Sequence, residues 1–178
     1  MPRRSDVRAL AGALAVLVLM QGGCTATYQR EVISTPAVVL ERGKAVLIGT
    51  PKNGSYESKE YVSSGSQTAN AVKAAFARYS NDVAISRCPD RDCLLAEAGS
   101  KYAYLIVPEI LHWEDRNTEW SGKPDRLEIK LIVIDALNRA DIASVVLNGK
   151  SKWATFGGDH PEDLLPEPVS DYVATLYK

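Results

Sequence analysis

Leu127, Ile129, Leu131 and Val133 alternate with Glu128 and Lys130, and further on Ile132 and Ile134 make the second face apolar as well. A period of two belongs to a β-strand, here with one buried face at its start and deeper burial at its far end. Two more strand-length runs flank it. Residues 102–107 (YAYLIV) are apolar without a break and extend toward Trp113, while residues 142–155 follow a polar turn at 138–141. Three such runs in succession predict a meander. Pro108 interrupts the first run. Because proline has no N–H to donate to a ladder, the strand is expected to lie at an edge or to bulge there.

Upstream, residues 44–50 (KAVLIGT) predict a buried strand that ends in a loop opened by Pro51, Asn53 and Gly54, and residues 82–86 predict a second short strand. Between them, Ser66 is placed to cap a helix over 67–79, with Ala69, Val72, Phe76 and Tyr79 on one apolar stripe. A turn or two of helix is expected over 92–98, stopped by Gly99. After Pro161, Pro166 and Pro168, a last helix carries Val169, Tyr172, Val173 and Leu176 on its buried side. The order β-α-β-α-β-β-β-α predicts an α+β (α/β) fold, a mixed sheet with helices packed on it. At 178 residues the chain is long enough for one domain with its own core.

That domain does not begin at residue 1. Arg3, Arg4 and Arg8 form a basic leader, and residues 9–20 are all apolar or glycine. Twelve residues of helix span roughly 18 Å, well short of the ~30 Å hydrocarbon core, so this is a signal-peptide segment rather than a membrane span. It ends at Gln21-Gly22-Gly23-Cys24. Small residues directly before a cysteine resemble the lipobox of bacterial lipoproteins, with Gln21 where an apolar residue is usual. The resemblance implies that residues 1–23 are a cleaved lipoprotein signal peptide and that Cys24 becomes the acylated first residue. Residues 24–42 then form a lipidated N-terminus and tether, and 43–178 a single globular domain. Thr25 replaces the Asp of lipoproteins kept at the inner membrane, which points to the outer membrane and a periplasm-facing domain.

Without the leader the chain keeps 18 basic and 21 acidic side chains, a net charge of −3. Such a balance excludes nucleic acid as a partner, since that affinity needs clustered excess positive charge. It also assigns membrane attachment to the acyl chains, two or more of which hold firmly. In an exported protein the remaining cysteines, Cys88 and Cys93, read as a disulfide across Pro89-Asp90-Arg91-Asp92.

Further segments resemble a family of small proteobacterial lipoproteins carrying a domain of unknown function. They are residues 61–72 running on to Ala75-Phe76, then Trp113-Glu114-Asp115 with 118–122, and residues 161–165 leading to Tyr172. The resemblance spans nearly the whole chain and implies export and fold, with no catalytic residues to carry over.

Little in the sequence points to chemistry. Gly149-Lys150-Ser151 lacks the upstream glycine of a phosphate-binding loop and falls in a strand. Asp159-His160 is expected to be a helix-entry turn, without a nucleophile elbow to serve. Glu109, His112, Glu114 and Asp115 gather at a strand end, but alternation sets Glu109 opposite His112, against a shared metal site. No metal, no cofactor and no enzymatic activity are expected. The segment 113–125 is the candidate partner surface: Trp113, Trp120 and Arg116 have the composition of an interface hot spot, unless the indoles fold back onto the core. The sequence thus favours a non-catalytic docking module of the envelope. The alternative is a periplasmic, hydrolase-like enzyme whose site residues are not identified.

Overall fold

In a computed structural model, residues 26–36, 38–116, 123–152 and 160–177 are described. Eight strands form: β1 (Thr27–Ser34), β2 (Val46–Ile48), β3 (Ser55–Tyr56), β4 (Lys59–Glu60), β5 (Val83–Ile85), β6 (Tyr104–Glu114), β7 (Arg126–Asp135) and β8 (Ala140–Lys150). Three helices accompany them: α1 (Ser64–Phe76), α2 (Arg91–Ala98) and α3 (Pro166–Leu176), the last preceded by a 3-10 turn over Pro161–Leu164. Six strands make one mixed sheet in the order β1-β8-β7-β6-β2-β5, and β3 with β4 makes a separate hairpin. The meander β6-β7-β8 is antiparallel, whereas β2 runs parallel to both β5 and β6. The α+β class expected from the alternation is the one observed.

One face of the sheet carries the main core. Ile106, Trp113, Leu127, Ile129, Leu131, Val133, Val145 and Leu147 pack there with Val72 and Phe76 of α1 and with Val169, Tyr172, Val173 and Leu176 of α3. The last-helix stripe is therefore fully buried. The opposite face is covered over only part of its length, where α2 sets Leu94 and Ala98 against Leu47, Leu105, Val107 and Ile134. This is the end of β7 at which both faces turn apolar. Apart from Val146, the rest of that face on β7 and β8 is polar.

Several boundaries differ from expectation for local reasons. Helix α1 begins at Ser64 because Ser63 adopts a left-handed φ of 79° and turns the chain. Ser64 Oγ then donates to the Tyr61 carbonyl at 2.7 Å and accepts from Gly54 N–H at 2.8 Å, locking loop to helix. Ser66 lies inside the first turn instead of capping it, and Tyr79 lies beyond the helix, where its ring stacks on Tyr177 at 4.3 Å. The loop after β2 contains the β3-β4 hairpin, which approaches Trp113 so closely that a Cβ on Gly54 would lie 2.6 Å from the Trp113 Cβ. Thr27–Ser34, in the stretch expected to be a tether, is an edge strand paired antiparallel to β8 from Thr27↔Lys150 to Ser34↔Ser144.

Pro108 meets the edge condition set for it, while its own pairing with Leu131 stays in register. Strand β2 pairs only with Tyr104, Leu105 and Ile106, so among the described residues the second half of β6 has no sheet partner on that side. The register of β6 against β7 also shifts between Ile110 and His112, which marks Leu111 as a bulge residue.

Candidate functional site

The bulge determines which side chains meet on the open face. Beyond it, His112 pairs with Glu128 and Glu114 with Arg126; before it, Glu109 pairs with Lys130. Direct partners share a face, so Glu109 and His112 stand on the same side of the sheet. The expectation that alternation separates them fails because the extra residue reverses the phase. Glu109 nevertheless turns to Lys130, its Oε2 accepting from Nζ at 3.4 Å. Among the described residues no three His, Cys, Asp or Glu side chains are placed to hold a metal ion.

Two polar rows cross four strands on this face. Thr27, Lys150, Arg126 and Glu114 form the outer row, and Gln29, Asn148, Glu128 and His112 form the next. Two shallow depressions lie over them. One, about 180 Å³, is lined by Gln29, His112, Arg126, Glu128, Asn148 and Lys150. The other, about 300 Å³, lies beside Tyr56, His112, Glu114, Arg116, Lys123 and Arg126. The Tyr56 ring meets His112 edge-on, with centroids 5.2 Å apart.

Glu114 is the anchor of this corner. Its side chain is only 2% exposed, and it is held between the Arg116 guanidinium and His112 Nε2, the latter 3.1 Å from Oε2. A carboxylate so far out of water requires such partners, since desolvating an unpaired charge costs several kcal/mol. Arg116 is therefore a counter-ion to a buried acid. Trp113 is likewise corrected as a partner contact: it is 2% exposed, sits opposite Leu127 and belongs to the main core. Trp120 lies outside the described residues, as does Cys24.

A second polar cluster lies alongside. Asp115 Oδ1 is 3.3 Å from His160 Nδ1, and Tyr61 Oη lies 3.3 Å from both the backbone N and O of Asp115. The hydrogen bond with Asp115 raises the His160 pKa above its ordinary value. Asp125 accepts from the Arg116 N–H at 2.6 Å and lies beside Ser151, whose Oγ accepts from the Asp125 N–H at 2.9 Å. Burial pushes the Asp125 carboxyl up. Ser151 is thus partnered by Asp125 and His160 by Asp115, and the charges of Asp115 and His160 are close enough to act on Asp125. His160 also enters the 3-10 turn as expected, its backbone N–H donating to Asp163 Oδ2 at 3.1 Å.

Cys88 and Cys93 are bonded, with Cα atoms 5.3 Å apart. Asp90 caps α2, its Oδ1 accepting from Cys93 N–H at 3.0 Å, so the bridge ties the first turn of α2 to the chain after β5. The arrangement as a whole is suited to holding polar and anionic groups on an open face.

What the fold defines first is a class: an α+β domain with a six-stranded mixed sheet, two helices on one face and one on part of the other. Residues 38–176 match the family described as "Domain of unknown function (DUF4823)", and the chain belongs to that family. No curated protein matches it. Among solved structures, it is similar to PelC from Paraburkholderia phytofirmans, a dodecamer, at 14% identity and a TM-score of 0.65 over 85% of this chain and 97% of that one. A single-substitution variant of that protein, also a dodecamer, matches at 12% identity and a TM-score of 0.64, covering 85% and 98%. At such identities the likeness is one of fold.

Proposed function

We propose that this chain is an outer-membrane-anchored periplasmic lipoprotein that works as a non-catalytic docking module of the cell envelope. The observation that carries this reading is the free edge of β1. Strand β1 ends the six-stranded sheet, so one side of its backbone has no strand partner among the described residues. Val32 is 43% exposed and Ile33 54%, and Val38 and Val39 follow at 59% each. An edge strand with exposed aliphatic side chains is the surface to which another chain adds by β-augmentation. A second copy of this chain is the occupant in keeping with the dodecamers that share the fold.

Export is supported by the Gly22-Gly23-Cys24 resemblance and by the Cys88–Cys93 bridge, which suits an oxidising compartment. Among the described residues no helix is long and apolar enough to cross a membrane, and the reading gives anchoring to acyl chains on Cys24. Two experiments test it. Fractionation of a Cys24→Ser variant is expected to yield soluble or unprocessed protein; a correctly cleaved variant still sedimenting with the outer membrane after high-salt washing sinks the anchoring. Crosslinking in intact envelopes from a cysteine placed at Glu31 is expected to trap covalent dimers. Monomer alone, at native expression, sinks the docking.

A further inference from the structure

A net charge of −3 for the mature chain conceals an uneven distribution. The end of the sheet at which β1 begins is the end at which β8 and β6 finish and β7 starts, because Thr27 pairs with Lys150, Lys150 with Arg126, and Arg126 with Glu114. Lys123, Arg126 and Lys150 are exposed there, and Arg116 and Lys152 are partly so. The acids of the outer row and its flanking loops are withdrawn, while Glu128 of the next row is half-buried beside Arg126 and Lys150 and Asp163 is exposed beyond His160. Glu114 is buried between Arg116 and His112, Asp125 is buried beside Ser151, and Asp115 is 20% exposed and faces His160 and Lys59. Among the described residues neither Arg126 nor Lys150 has a carboxylate within ion-pair distance. The connections at this end, residues 117–122 and 153–159, add by sequence one acid each, Glu119 and Asp159.

Chain geometry fixes where this end lies. Cys24 is three residues before Thr27, so their Cα atoms are at most about 11 Å apart. Strands in a sheet are spaced by roughly 4.8 Å, so Lys150 and Arg126 follow within about 10 Å of Thr27. An acylated Cys24 sits at the bilayer surface, and the cationic end is then tethered within about 20 Å of the lipid head groups. Where the short linker folds back rather than running extended, Lys150 and Arg126 come within a Debye length of about 8–10 Å, where basic side chains are attracted by anionic lipid.

We propose that Lys123, Arg126, Lys150 and Lys152 form a rim that contacts the phosphate groups of anionic lipids and orients the domain, with its strands rising from the membrane. The proposal rests on acylation of Cys24 and adds to it a second, electrostatic contact. Acyl chains hold the protein at the membrane but leave it free to tilt. The rim selects one tilt.

The test uses the mature acylated protein on vesicles of phosphatidylcholine alone and of phosphatidylcholine with phosphatidylglycerol. Flotation reports the anchor: co-flotation with both compositions is expected, and failure to float with neutral vesicles refutes the acylation on which the rim rests. Amine acetylation read by mass spectrometry reports the rim. Lys123, Lys150 and Lys152 are expected to be modified roughly fivefold more slowly on anionic than on neutral vesicles. Lys73, on the exposed side of α1, is expected to react equally on both. High salt, or an Arg126→Glu and Lys150→Glu double variant, is expected to abolish the difference at Lys123 and Lys152. Equal rates on both vesicle types for floated protein overturn the rim while leaving the anchor in place.

Discussion

Glu114 is a buried acid whose partners lie two residues away on either side in the chain. Because β6 ends at Glu114, Arg116 reaches back to it from the start of the following loop, while His112 approaches along the strand. Replacing Arg116 by alanine leaves the carboxylate with His112 alone. The expected destabilisation is about 3 kcal/mol, against a smaller loss for Glu114→Gln, which removes the buried charge together with the need for its partner. Urea unfolding of the two variants checks that order. Trp113→Ala is expected to cost about 3–5 kcal/mol, as for any large core side chain, and to leave crosslinked dimers unchanged at temperatures where it folds. The Asp115–His160 pair has a defined pH signature. Its His pKa is raised in the folded state, so its stabilising contribution is complete below the unfolded value and fades as pH rises through the folded one. Asp115→Asn is expected to bring the His160 pKa down, visible in an NMR titration of its ring protons.

At the scale of elements, what was legible in the chain was whatever depends on an uninterrupted pattern. The β7 alternation, the α3 stripe and the Gly99 stop all follow from spacing alone, and each is found in place. Features that hinge on one residue were not legible. The bulge at Leu111 leaves composition and run length unchanged yet reverses the phase of everything after it, which is why simple alternation sets Glu109 opposite His112. Strand β1 carries polar or exposed residues on both faces, so periodicity gives no sign of it; its existence depends on the edge that β8 offers. The disulfide was legible by spacing, but its role as a clamp on α2 was not. Asp90 caps that helix, and Arg91 reaches Asp141 and the Arg139 carbonyl in the β7-β8 turn. Loss of the bridge in a Cys88→Ser and Cys93→Ser double variant is expected to cost about 2 kcal/mol by loop entropy. Because cap and Arg91 contacts remain, faster hydrogen exchange is expected only around the first turn of α2, with the sheet unaffected.

For the whole molecule, the open edge and the anchored end belong to one geometry. In the proposed orientation β1 starts at the membrane and runs away from it, so its free edge faces sideways toward neighbours held in the same leaflet. Anchoring through Cys24, as proposed, would confine those neighbours to a thin layer and raise their effective concentration without any added contact. A weak edge-to-edge interaction can then suffice for assembly. The expected consequence is that self-association depends on both features separately. Ile33→Lys places a charge on the exposed bulge of β1, where side-chain burial is slight, and is expected to change unfolding stability by no more than about 0.5 kcal/mol. It is also expected to remove most crosslinked dimer, since charged edge positions oppose strand addition. Cys24→Ser is expected to lower multimer formation at equal total protein through loss of confinement, and to restore it when the purified chain is concentrated. Native mass spectrometry across a concentration series separates the two: Ile33→Lys remains monomeric throughout, while Cys24→Ser associates at the high end. Equal association of Ile33→Lys and the unaltered chain would place the contact elsewhere than on β1.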